Sequence, residues 1–244
     1  MGKYDEEELK WNKKAGDLLK KPDSLKIEKT YEEVFARHIN LRPIVKFFNL
    51  QNKESSLLDV GCGAGWTTCL LAKVCKMVDA FDISASSIGV LKERMRVNSI
   101  DNINPYIGNA EEIPFGDERF DFVFGNAVLH HVTLDRVVPE IARVLKTGGK
   151  AAFCEPYTAN IAINIMRYIK HNIIDEYKGT DVPLSPSDIN IFRKHFSTAE
   201  FIETSIFSHM LEALMPIESV LLERIPLLKK QAGYITILLQ KGTS

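Results

Sequence analysis

Leu57-Leu58-Asp59-Val60-Gly61-Cys62-Gly63-Ala64-Gly65 is the stretch from which this chain is best read. A short apolar run with one acid in it leads into three glycines spaced two apart. Trp66-Thr67-Thr68-Cys69-Leu70-Leu71-Ala72-Lys73 then continues at helical spacing. Leu57, Leu58 and Val60 read as a buried strand. Gly61, Gly63 and Gly65 allow a sharp bend and close approach of a ligand to the backbone. Amide groups at the start of the following helix can face a ligand's negative end. Strand, bend and helix together make a nucleoside-cofactor site at the edge of a sheet.

NAD, FAD and nucleotide sites all use glycine bends, and two details separate them here. The spacing is G-x-G-x-G, with Trp66 where the dinucleotide fingerprint needs its third glycine. Asp59 precedes Gly61 by two positions, and a carboxylate there repels a diphosphate while suiting an ammonium or sulfonium group. The phosphate-loop pattern G-x-x-x-x-G-K-[ST] does not occur. Met77-Val78-Asp79-Ala80-Phe81-Asp82 reads as the next strand, and its final acid lies about 20 residues past Gly61, where a βαβ unit holds ribose hydroxyls. Hydroxyls donating to that carboxylate contribute roughly 1.5–3 kcal/mol each. A competing reading makes Asp82 the cap of a helix starting near Ser84.

Four ordered segments extend this reading: LLDVGCGAGWTTCLLA (57–72), VDAFDIS (78–84), GNAEEIPFGDERFDFVFGNAVLHHV (108–132) and LDRVVPEIARVLKTGGKAAFCEP (134–156). Through them the chain resembles the class I S-adenosylmethionine-dependent methyltransferases, in particular the small-molecule branch that includes quinone-biosynthesis enzymes. The resemblance covers roughly residues 55–156. It implies an α/β fold, a doubly wound, mostly parallel seven-stranded sheet with N-terminal helices and a helical insertion after the fifth strand. It implies S-adenosylmethionine as cofactor and S-adenosylhomocysteine as product. Asp59, Gly61, Gly63 and Gly65 would line the methionine part, Asp82 would hold the ribose, and Ile83 would pack on the adenine face. Asn109 and Ala110 would lie beside the adenine edge, and Asn126 under the methionyl group. The family usually has Asp where this chain has Asn109; an amide there still offers an acceptor and a donor. Thr147 replaces a frequent proline before Gly148-Gly149 and alters only turn rigidity.

Composition is that of a soluble, cytoplasmic enzyme. The chain has 244 residues, 45% of them hydrophobic, and a formal net charge of −1. Such a length can bury one good core plus appendages. The absence of a basic stripe argues against nucleic acid as a partner. The charged start Met-Gly-Lys-Tyr-Asp-Glu-Glu-Glu is unlike a signal peptide, and no apolar run is long enough for a transmembrane segment. Cys62, Cys69, Cys75 and Cys154 lack zinc-site spacing and read as free thiols, so no metal is expected.

Alternating patterns predict strands near 56–60, 77–82, 103–108, 120–125 and 149–155, and helices near 65–75, 85–98 and 132–145. Residues 4–22 and 29–49 read as amphipathic helices, and another helix is expected near 187–195. Two late apolar segments, 200–208 and 233–240, read as strands closing the sheet as an antiparallel pair. The division expected is 1–50, an N-terminal helical cap; 51–156, the cofactor-binding core; 157–199, a helical insertion or lid; and 200–244, strands and helices completing the same domain.

The flanking regions should choose the acceptor, with Tyr31, Phe35, His38, Tyr157, Arg167, Tyr168 and His171 as candidate lining residues. Tyr31 and Phe35 have helix packing as their plainer role. His130 and His131, just after the fourth strand, are the candidate catalytic bases, with Glu155 behind them; the same pair can equally serve packing. The Asn/Asp-Pro-Pro-aromatic run of amino-methylating DNA enzymes and the Pro-Cys of cytosine enzymes are both missing. These absences favour a small-molecule or lipid-like acceptor, with oxygen expected as the methylated atom and carbon or nitrogen as the less frequent alternatives. The apolar 210–228 segment reads as docking helices or a homodimer contact, with a membrane surface as the rival. Two other functions remain open on sequence: a non-catalytic S-adenosylmethionine-binding protein, and a nicotinamide-dependent reductase, which Asp59 and Trp66 disfavour.

Overall fold

The computed structural model describes residues 3–38, 40–50, 54–157, 182–204 and 233–243. Three apolar runs that carry an acid or amide at or next to their last residue become neighbouring strands: β1 (Ser56–Val60), β2 (Met77–Asp82) and β4 (Phe120–Asn126). With β3 (Ile103–Ile107), β5 (Leu145–Pro156), β6 (Thr198–Thr204) and β7 (Tyr234–Gln240) they form one seven-stranded sheet of order β3-β2-β1-β4-β5-β7-β6. The first five strands are parallel neighbours. β7 runs antiparallel to both β5 and β6, so it alone is reversed. Parallel strands must be covered on both faces, which is why Leu57, Leu58, Asp59 and Val60 are all buried.

Adjacent strand residues point to opposite faces, and the two cores divide accordingly. Leu58, Val123, Phe153 and Ile237 pack under α6 (Leu134–Val144) and α7 (Ile189–His195), through Val137, Ile141 and Phe192. Leu57, Val78, Phe124 and Leu238 form the other core, with Phe35 from α2 (Tyr31–Arg37), Phe48 from α3 (Arg42–Phe48), Leu70 from α4 (Trp66–Ala72) and Leu91 from α5 (Ala85–Val97). All four cysteines are free and buried. No helix among the described residues is long and apolar enough to cross a membrane.

Among the boundaries that differ from the sequence expectation, three have a clear local cause or consequence. The helix expected over 29–49 is two helices. α2 starts with a capping box in which Thr30 Oγ1 accepts the Glu33 amide and Glu33 Oε2 accepts the Thr30 amide. It stops at His38, whose backbone is extended, and α3 restarts with Pro43 in its first turn. Proline has no N–H for an interior helical bond and its ring clashes with the carbonyl four residues back, which favours a new helix start at this point over one continuous helix. The first helix, α1 (Lys3–Leu19), ends early and is followed by a single 3₁₀ turn at Pro22–Leu25. β5 begins at Leu145 rather than 149, because Leu145 pairs with Phe120 before a register irregularity at Phe120/Phe122. The expected insertion and the 210–228 segment lie outside the described residues, apart from 182–199.

Candidate functional site

β1 and β4 follow one another across the point where strand order reverses, and open sheets of this kind bind ligands there, beyond the carboxyl ends of the strands. At that point lies a cavity of about 500 Å³. Asp59, Gly61, Gly63, Gly65, Asp82, Ile83, Asn109, Ala110 and Asn126 all line it. His131 lines it too. His130 does not: its Nδ1 is turned to Glu155 Oε2 at 2.8 Å.

The three glycines of the bend sit at φ +65°, +51° and +76°, where side chains are strained. A Cβ on Gly65 would fall 2.2 Å from Leu91 Cδ1, so the bend is pressed against α5. A Cβ on Gly63 would meet nothing within 4 Å. That open space is the cavity floor, where a ligand can lie against bare backbone.

Two carboxylates flank the bend. Asp59, 1% exposed, accepts the Thr68 hydroxyl at 2.7 Å. Burial pushes its carboxyl up to about 7; the Thr68 bond opposes the shift and the charge of Asp82 adds to it. Asp82 accepts the Gly63 amide on one oxygen and the Ser84 amide on the other, each at 2.9 Å. Burial raises its carboxyl also, against the pull of those two amides and of His131. The cap of α5 is Ser84 itself, whose Oγ accepts the Ser87 amide at 3.0 Å. Asp82 therefore braces the bend and the helix entry together. A carboxylate has about four lone-pair sites, so two remain for ligand hydroxyls.

Beside Asp82 the wall turns apolar, with Phe81, Ile83, Gly108 and Ala110. Asn109 Oδ1 accepts the Glu111 amide at 2.9 Å, leaving one lone pair and the NH₂ group for a ligand. Beyond β4, Glu155 is wholly buried and accepts the Val128 and Leu129 amides, each at 2.9 Å, as well as the His130 contact. The candidate base behind the histidines thus fixes the turn that carries His131 into the cavity wall.

Of the residues proposed from sequence to line an acceptor pocket, Tyr31, Phe35 and Tyr157 lie in the hydrophobic cores. Neither they nor His38 is among the lining residues of this cavity. Arg167, Tyr168 and His171 lie outside the described residues. Conversely, Trp11, Leu18 and Ser24 from the N-terminal segment and Arg94 from α5 line the cavity without having been expected. Trp11, an aromatic residue in a charged helix, was the one available signal; its ring meets His131 edge-on at 6.1 Å. Arg94 gave none, since a charged residue within an amphipathic helix ordinarily faces solvent.

A cationic adenosyl ligand fits this donor set. It finds bare backbone at Gly63, hydroxyl acceptors at Asp82, an apolar slot at Phe81, Ile83 and Ala110, and a carboxyl group at Asp59. A diphosphate would face two carboxylates. Comparison with known proteins agrees. Residues 58–153 match the family model described as a methyltransferase domain. The matched segment is therefore a methyltransferase domain, on a fold shared with solved methyltransferases. The chain is similar to a demethylmenaquinone methyltransferase of a Geobacillus strain, at 34% identity over 53% of this chain and 59% of the relative. It spans less than two thirds of the length of the curated relatives it matches. Its fold is shared with the YcgJ protein of Bacillus subtilis (TM-score 0.60, 18% identity, 84% of this chain and 99% of that one). It is shared also with phosphoethanolamine N-methyltransferase 2 of Haemonchus contortus, solved with S-adenosyl-L-methionine (TM-score 0.62, 20% identity, 83% and 52%).

Proposed function

We propose that this protein transfers a methyl group from S-adenosylmethionine to a small-molecule or lipid-like acceptor, at oxygen. The observation that carries the reading is the pair of carboxylates, Asp59 and Asp82, at the tips of neighbouring strands on either side of a bend that is open only at Gly63. Asp82 would take the ribose hydroxyls on its two remaining lone pairs. Ile83 would pack on the adenine face, with Asn109 and Ala110 beside its edge. Asp59 and Asn126 would meet the methionyl end.

The bound cofactor supplies a methyl already activated by its sulfonium, so the protein has to align the acceptor and exclude water. Alignment of this kind contributes on the order of 7–11 kcal/mol in favourable cases. Trp11 and the β4 end, with Asn126, Val128 and His131, would wall the side from which an acceptor approaches. An oxygen acceptor gives His131 a role, since a hydroxyl must lose its proton and a neutral imidazole can accept it. His130, held by Glu155, would support the turn rather than touch substrate.

The test is incubation with methyl-labelled S-adenosylmethionine and a cell extract, followed by identification of the labelled product. Label on the oxygen of a small or lipid-like molecule supports the reading. Label on nucleic acid, or no transfer by protein that binds the cofactor, contradicts it.

A further inference from the structure

Arg94 is the only lysine or arginine among the described residues lining the cavity, and its side chain is spent on carbonyls rather than on an acid. It is 2% exposed. Nε donates to the Ala64 carbonyl at 2.9 Å, and Nη1 donates to the Ser24 carbonyl at 3.0 Å and the Leu25 carbonyl at 3.5 Å. One planar group thereby joins the glycine bend to the 3₁₀ turn of the N-terminal segment. One helical turn further on, Asn98 repeats the grip: Oδ1 accepts the Ile27 amide at 2.8 Å and Nδ2 donates to the Leu25 carbonyl at 2.8 Å. At the other end of the cap, Asn12 Oδ1 accepts the Ser84 hydroxyl at 2.7 Å, and Ser84 is bonded to Asp82.

Ala64 lies between two glycines in left-handed conformations, so the bend itself does little to fix the direction of its carbonyl. A guanidinium, with donors in a rigid fork, does fix it. We propose that Arg94 and Asn98 are positioning residues that latch the N-terminal cap onto the glycine bend, so that cofactor binding and order in residues 22–27 are one equilibrium. The inference rests on the assignment of the cavity to S-adenosylmethionine. Because coupling between two sites is reciprocal, a ligand that settles the bend must also tighten the cap, and a loosened cap must weaken the ligand.

The test is amide hydrogen exchange on the whole protein with and without saturating S-adenosylhomocysteine, with affinity measured in parallel by calorimetry. In the wild type the Ile27 amide should exchange about tenfold more slowly with the ligand, the size expected of a modest coupling. In Arg94→Met that slowing should shrink to about twofold or less and affinity should fall about tenfold. Arg94→Lys, which keeps the charge but not the fork, should resemble Arg94→Met. A role confined to general stability would lower the melting temperature and leave the ligand-dependent slowing intact. Slowing that survives in both variants, or its absence at Ile27 in the wild type, overturns the latch; the wild-type arm decides even if a variant fails to fold. Failure of the wild type to bind S-adenosylhomocysteine at all overturns the cofactor assignment as well.

Discussion

The Gly63 amide donates to Asp82 Oδ2 at 2.9 Å, across the gap between the first glycine bend and the tip of the neighbouring strand. The acid that would hold the ribose therefore also holds the loop on which the ligand would lie. Ligand affinity and loop geometry cannot be separated at this position.

Asp82→Ala removes both functions, and cofactor affinity should drop at least about tenfold, the equivalent of 1.4 kcal/mol. Asp82→Asn keeps one acceptor oxygen and should lose less. Calorimetric titration with S-adenosylhomocysteine checks both; equal affinity in Asp82→Ala and the wild type would refute the ribose role.

Gly63→Ala and Gly65→Ala should fail in different ways. At Gly65 the new methyl runs into Leu91 as well as adopting a strained φ, so stability should fall by about 1–3 kcal/mol. At Gly63 no protein atom is struck, so the loss of stability should be smaller, while the methyl enters the floor of the cavity and ligand binding suffers. Melting curves with parallel titrations separate the two outcomes.

Asp59 makes pH a probe of the site. In the ligand-free fold its carboxyl is raised to about 7 by burial, above its ordinary value in an unfolded chain. Its contribution to stability is then full below the unfolded pKa and is lost as pH rises through about 7. Binding of a cation runs the other way, because only the ionised carboxylate attracts it. Affinity for S-adenosylmethionine should increase from about pH 6 to about pH 8, with proton release on binding. In Asp59→Asn that increase should be largely flattened. Calorimetry in two buffers of different ionisation enthalpy measures the proton count directly.

Glu155 satisfies two buried amides and the ring of His130 at once. Glu155→Ala should lower stability by about 1–3 kcal/mol for each buried donor it leaves without an acceptor. Glu155→Gln, with one acceptor oxygen in place of two, should fall between it and the wild type. Chemical denaturation of the three proteins gives the order.

The core of the fold was legible because its signals are local. Alternating apolar runs ending in Val60, Asp82 and Asn126 mark strands β1, β2 and β4 within a residue of where they lie. Glycine spacing placed the bend, and the nine residues carried over from the family resemblance converge on one cavity. What the sequence hid was long-range. Whether His130 or His131 faces the cavity depends on Glu155, 25 residues away along the chain from His130. The part played by Arg94 depends on carbonyls of Ala64 and Ser24, which no periodicity in α5 reveals. The 29–49 span reads as one helix because its apolar spacing continues across the break between His38 and Leu41.

The most direct measurement is a crystal structure of the protein grown with S-adenosylhomocysteine. Electron density should lie over Gly63, with the ribose hydroxyls on Asp82, the adenine face on Ile83 and its edge beside Asn109 and Ala110, and the amino-acid end beside Asp59. Density absent from the bend, or a ligand seated there through a diphosphate, would contradict the assignment of this cavity to a charged adenosyl cofactor.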